Sequence, residues 1–128
     1  MPLYIVASNT IEEAYDCSLH HKRIEAYIME DKGVQDFLFL CRNQLKHYTI
    51  YCKLNPDGVS KVEHSEIPYI QEFAKSVKEW MEHHPHMENR MIEETNLSFS
   101  KMNRYMERLI RLCSFALENK KGFIALGD

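Results

Sequence analysis

Two long stretches in the second half of the chain carry apolar residues at helical spacing. In each stretch the apolar positions recur three or four residues apart, so they fall on one face of an α-helix. Ser65 and Pro68 predict the start of the first helix, because serine caps a helix and proline fits its first turn. Leu97 or Ser98 opens the second helix, and Lys120-Lys121-Gly122 closes it. The apolar positions are Ile67, Ile70, Ala74, Val77 and Met81 in the first helix and Met102, Tyr105, Met106, Leu109, Cys113 and Ala116 in the second.

The first half of the chain has shorter helical patterns. Thr10 and Glu13 match the capping box, in which threonine caps the helix and glutamate reaches back to it. The middle of this helix has no clear apolar pattern, so one interpretation is that the helix breaks there. The other is that it continues through three later apolar residues at helical spacing. In either case Asp31-Lys32-Gly33 ends the helical pattern. A second helical pattern covers residues 34–45, although residues 37–41 alone would also fit a buried strand. The polar residues 85–96 predict a loop between the two long helices, with at most one turn of helix.

The strongest turn signal in the sequence is Asn55-Pro56-Asp57-Gly58. Proline presets the backbone of a type I turn, and glycine supplies the positive φ that follows it. We therefore predict a hairpin with strands near 47–54 and 59–63. The short apolar segments 2–8 and 122–126 are predicted to be further strands of the same sheet.

These elements indicate an α+β fold with about four helices packed on a small, mostly antiparallel sheet that contains the hairpin at 47–63. A chain of 128 residues fits a single globular domain, here 1–128, with one core. A sheet this small can leave apolar surface that a second copy of the chain would cover, so the sequence leaves a homodimer open.

Charge and composition narrow the classes of function. The net charge of −3 is too small for bulk attraction to nucleic acid or to an anionic membrane. Neither glycine-rich phosphate-binding motif occurs among the four glycines. The first eight residues lack the basic region of a signal peptide, and no apolar run is long enough to span a membrane. The four cysteines are widely spaced among apolar neighbours, so we expect free, mostly buried thiols and a cytoplasmic location.

Three histidines lie within four residues at the predicted end of a helix: His83, His84 and His86. Imidazole is a ligand for zinc, copper and nickel, so this cluster is a candidate site for zinc or another transition metal. A metal site needs three or four converging ligands, however, and no second cluster has the matching spacing. The sequence therefore predicts no cofactor, because the cluster fits a solvated helix end better than a metal site.

Four cations follow one strip of the last helix: Lys101, Arg104, Arg108 and Arg111. Their spacing of three, four and three residues places them within about 80° of arc at 100° per residue. The strip lies away from the apolar stripe and contains no acidic residue. It is a candidate binding surface for phosphates or for an acidic protein, although solvation or ion pairs to the acidic first helix would also account for it.

The sequence contains no catalytic signature, which favours a non-enzymatic protein without deciding the question. The leading hypothesis is a regulatory domain that binds a protein partner, as an inhibitor, immunity-type factor or adaptor. The first alternative is a metal-binding protein or metal-dependent enzyme that uses the histidine cluster. The second is a nucleic-acid-associated regulator that uses the cationic strip.

Overall fold

A four-stranded antiparallel sheet forms the central layer of the computed structural model, which describes residues 3–20 and 24–127. The predicted strands at 2–8 and 122–126 are confirmed, and they pair with each other so that Tyr4 faces Leu126 and Ala7 faces Phe123. All three strand pairings are antiparallel. The strands are β1 (Tyr4–Ala7), β2 (Tyr27–Met29), β3 (Val59–Val62) and β4 (Phe123–Leu126), in the order β2-β1-β4-β3.

Six α-helices surround the sheet in this part of the chain, so the predicted α+β class is confirmed. The sequence predicted about four helices. Two more form, a four-residue helix in a segment predicted to be a strand and an eight-residue helix in a segment predicted to be a loop. The helices are α1 (Ile11–His20), α2 (Val34–Cys41), α3 (Tyr48–Tyr51), α4 (Ile67–His83), α5 (Glu88–Thr95) and α6 (Phe99–Glu118).

Both faces of the two central strands are buried. Successive side chains of a strand point to opposite faces. Ile5 and Phe123 accordingly join the main core with α4 and α6, whereas Val6 and Ile124 pack with Cys17 of α1. The sheet is therefore sandwiched between α1 and the larger helical layer. None of the described helices is both long enough and apolar enough to cross a bilayer.

The two long helices follow their apolar stripes as predicted. Every residue of both stripes is buried. Ser98 is the N-cap of α6, and its Oγ accepts a hydrogen bond from the backbone N–H of Lys101 at 3.2 Å. The predicted cap of α4 is wrong, because Ser65 lies in a 3₁₀ turn where Glu63 and Glu66 form the capping box instead.

The predicted hairpin at 47–63 is wrong. Residues 48–51 form α3 rather than a strand, and β3 pairs with β4. The helix turns Tyr51 and Leu54 into the core, where they are 0% and 1% exposed, so burial outweighs the β propensity of this segment. The Asn55–Gly58 turn does form, since Asp57 N–H donates to Asn55 Oδ1 at 2.8 Å, but it joins a helix to a strand.

Two other segments differ from expectation. Residues 27–29 form β2, which pairs with β1, so the extended version of the first helix is wrong; residues 21–23 of that extension lie outside the described part. Residues 88–95 form α5 where a loop was predicted. Met91 is its main buried apolar residue. A helix with so few apolar residues gives no clear helical pattern in the sequence.

The cysteines fit the expectation of free, mostly buried thiols. Three of them are buried, and Cys52 is exposed. Burial raises the pKa of Cys41 and of Cys113 to about 12. These two thiols are protonated at neutral pH and are poor nucleophiles.

Candidate anion-binding site

Three of the four cations predicted on α6 line a single cavity of about 410 Å³. Lys101, Arg104 and Arg108 form one wall, and Lys32 joins them from the turn that follows β2. Asp31 is the one acidic residue in this lining. We call this cavity the cationic pocket. The remaining lining residues are Thr95, Asn96 and Leu97, at the junction of α5 and α6.

Gly33 allows the turn to lie against that junction. Its φ is +95°, a conformation that side chains disfavour. A Cβ atom at this position would also lie 2.5 Å from the backbone oxygen of Thr95. The turn can therefore approach the end of α5 only because residue 33 has no side chain. This close approach brings Lys32 to the cations of α6.

Arg108 and Asp31 form an ion pair at the edge of the cationic pocket. The distance from Nη2 of Arg108 to Oδ2 of Asp31 is 2.9 Å, and the two side chains are 42% and 39% exposed. The buried Nε of Arg108 has no hydrogen-bond partner, and in the described residues it is the one buried side-chain nitrogen or oxygen in that state. The hydrogen-bonding capacity of this guanidinium is thus incompletely used.

Arg111, the fourth predicted cation, does not reach the cationic pocket. It lines an adjoining groove of about 650 Å³, to which Arg108 and Asp31 also contribute. The groove has an apolar floor from β2 and α6, and we call it the apolar groove. The structure therefore divides the predicted strip between two neighbouring cavities that share Arg108. The apolar lining residues are Tyr27, Ile28, Met29, Leu112 and Phe115.

Beneath the turn lies a buried carboxyl group that the sequence analysis missed. Glu30 is 8% exposed, and its Oε2 accepts hydrogen bonds from the Tyr51 hydroxyl at 2.6 Å and from Gln35 Nε2 at 2.7 Å. The Tyr51 hydroxyl also lies 2.7 Å from the hydroxyl of Tyr105. A hydrogen-bonded chain therefore connects the end of β2 through α3 to α6.

Burial controls the ionisation of this chain. Desolvation raises the pKa of Glu30, although the hydrogen bonds from Tyr51 and Gln35 act in the opposite direction. Burial likewise raises the pKa of Tyr51 and of Tyr105 well above the ordinary range. Both phenols are therefore neutral at physiological pH.

The buried chain fixes the geometry of the cationic pocket above it. Glu30 directly precedes Asp31 and Lys32, while Tyr105 lies between Arg104 and Arg108 on α6. The hydroxyl and carboxyl contacts thus hold the turn and α6 together. No motif in the sequence indicates this, since Glu30-Asp31 has the pattern of a solvated helix end.

The histidine cluster lies at the far end of α4. His83 and His86 are exposed, while the His84 ring stacks on Trp80 at 5.0 Å and its Nδ1 lies 2.8 Å from the Trp80 backbone oxygen. Within residues 3–20 and 24–127, no three His, Cys, Asp or Glu side chains are arranged to hold a metal ion. The geometry therefore adds nothing in favour of the predicted metal site.

Comparison with protein-family models, with curated proteins and with solved structures finds no match to this chain. The geometry of the site is therefore the basis on which a function can be inferred for this chain.

Proposed function

We propose that this chain is a non-enzymatic binding domain that recognises an anionic group on a partner protein, and that the cationic pocket receives that group. The observation that carries the proposal is the convergence of Lys32, Lys101, Arg104 and Arg108 on one cavity. Like charges gathered in a cavity repel one another, and a bound anion relieves that repulsion. The Arg108 side chain is 42% exposed, so its guanidinium can also contact the bound group.

The apolar groove favours a protein over a nucleic acid as the partner. Tyr27, Met29 and Phe115 are at least partly exposed in this groove, and aromatic and methionine side chains are typical of the buried centre of a protein interface. A phosphodiester chain that followed the cations would also pass the carboxylates of Glu25 and Glu118 in the groove. A protein segment with an acidic or otherwise anionic residue beside apolar residues complements both cavities.

The proposal is tested by capture from a host lysate with three forms of the protein. The first is the wild type, the second is Lys101→Glu, and the third is the matched control Lys75→Glu. Lys75 is an exposed lysine on α4 outside the cationic pocket, so both variants make the same change in net charge. Captured material is compared with and without nuclease, and circular dichroism checks that each variant is folded.

A protein that the wild type and Lys75→Glu recover, and that Lys101→Glu loses, supports the proposal. Recovery that disappears after nuclease treatment replaces it with nucleic-acid binding. A partner that all three forms recover equally well overturns the assignment of the cationic pocket.

A further inference from the structure

We infer that the anionic group accepted by the cationic pocket is a phosphorylated side chain of the partner. This inference rests on the proposed function and specifies its ligand class. The distinction from a plain carboxylate follows from the charges, the donors and the volume of the pocket.

The charge of the cationic pocket exceeds what one carboxylate requires. Four cations and one carboxylate line it. A carboxylate carries a single charge and is satisfied by one arginine in a bidentate pair. A phosphoryl group on serine, threonine or tyrosine carries a charge of about −1.5 to −2 at pH 7 and three strong acceptor oxygens. It can engage several of these cations at once.

Arg108 already has a carboxylate neighbour. Its pair with Asp31 places one carboxylate at the pocket edge. A carboxylate ligand would compete for Arg108 with a group of the same chemistry and charge. A phosphoryl group has the larger charge, so it gains more from Arg108 and also reaches Lys101 and Arg104.

The dimensions of the cavity also suit this group. A volume of about 410 Å³ equals roughly a dozen water molecules of liquid, which is enough for a phosphoryl group and the side chain that carries it. Asn96 adds an amide to a lining that otherwise offers mainly ammonium and guanidinium donors. Clusters of arginine are a recurring mode of phosphopeptide recognition.

Isothermal titration calorimetry with blocked peptides tests the inference. The three peptides carry phosphoserine, glutamate or serine between the same glycine residues. We expect saturable binding of the phosphoserine peptide, binding at least about tenfold weaker for glutamate, and none for serine, because one or two charge-assisted hydrogen bonds distinguish the anions.

Two arginine variants locate the binding. Arg104→Gln removes one cation from the pocket lining, and we expect about tenfold weaker binding of the phosphoserine peptide. Arg90→Gln is the matched control, because Arg90 is exposed on α5 and pairs with Glu94 outside the pocket. Its affinity for the same peptide should equal that of the wild type.

Equal or tighter binding of the glutamate peptide overturns the phosphoryl assignment, as does a phosphoserine peptide that fails to bind at low millimolar concentration. An equal loss of affinity in Arg104→Gln and Arg90→Gln also overturns it. The proposed function is judged separately by the capture experiment, since a partner lost on Lys101→Glu would still define the cationic pocket as its docking site.

Discussion

Glu30 and Asp31 are consecutive carboxyl groups with opposite environments. Glu30 is 8% exposed and is bonded to neutral donors from α2 and α3, and burial raises its pKa. The Asp31 side chain is 39% exposed and is paired with the guanidinium of Arg108 on α6. The chain thus turns one carboxyl into the core and leaves the next at the edge of the cationic pocket.

The difference separates two functions of one turn. The carboxyl of Glu30 joins the turn to Tyr51 and Tyr105, so it belongs to the frame that positions the pocket. The carboxylate of Asp31 contacts a cation that the proposed ligand would use, so it belongs to the binding surface. Changes on the buried side should affect stability, whereas changes on the exposed side should affect affinity.

The largest expected effect comes from Gly33→Ala, which disturbs both sides. The new methyl group would meet the Thr95 oxygen in a backbone conformation that alanine disfavours. Combined strain and overpacking predict a loss of about 3 kcal/mol in the free energy of unfolding. Urea denaturation measures this loss, and titration with the phosphoserine peptide should show weaker binding as the turn moves.

Gly58→Ala is the control for backbone strain alone. Gly58 has a φ of +85°, but a Cβ atom there would meet nothing within 4 Å. We expect its cost to be about 1 kcal/mol, the usual penalty for the left-handed conformation. A Gly33→Ala variant as stable as Gly58→Ala would show that the turn does not depend on close contact with Thr95.

The role of the buried Glu30 carboxyl is tested by measuring how the free energy of unfolding depends on pH. The folded-state pKa of Glu30 lies above its ordinary value of 4.5, mainly because of desolvation. Between those two values the folded protein holds a proton that the unfolded chain releases. The contribution of Glu30 is therefore fully present below pH 4.5 and is lost as the pH rises through the folded-state pKa.

The measurement compares the wild type with Glu30→Gln, which cannot ionise at this position. Other titrating groups affect both proteins, so they cancel in the difference between the two free energies of unfolding. We expect the wild type to lose stability relative to Glu30→Gln as the pH rises from 4.5 towards neutrality. A difference that stays constant with pH would mean that Glu30 ionises as readily when folded as when unfolded.

Substitution of Asp31, on the exposed side of the turn, should have the smallest effect on stability. Asp31→Asn removes a partly exposed ion pair, which predicts a change of less than about 1 kcal/mol in the free energy of unfolding. It also frees Arg108 for the ligand, so the affinity for the phosphoserine peptide should rise about threefold in calorimetry. Asp36→Asn makes the same charge change outside the lining of the cationic pocket and should leave that affinity unaltered.

Elements with a long apolar pattern were predicted correctly from the sequence, whereas several short elements were not. The stripes of α4 and α6 extend over several turns, so their spacing identified both helices. Residues 48–51 contain aromatic and β-branched side chains that favour a strand in isolation, yet the core requires Tyr51 where a helical turn places it. Short elements such as β2 offer too few residues for periodicity to decide.

The candidate site was predictable only in part for a similar reason. Helical spacing alone places Lys101, Arg104 and Arg108 on one face of α6. The contribution of Lys32 depends on the contact between Gly33 and Thr95, which are far apart in the sequence. The burial of Glu30 depends on Tyr51 and Tyr105 in the same way. Spatial convergence of this kind has no local sequence signature.

The pairing of β1 with β4 has a consequence for synthesis of the protein. Tyr4 pairs with Leu126, which is translated only after the other three described strands of the sheet. Until then β1 lacks one of its two neighbours and β3 lacks the strand with which it pairs, so backbone N–H and C=O groups along these edges are unpaired. Contacts between such distant residues also slow folding. Unpaired strand edges favour aggregation, so the pairing of β4 with both neighbours also protects the newly made chain.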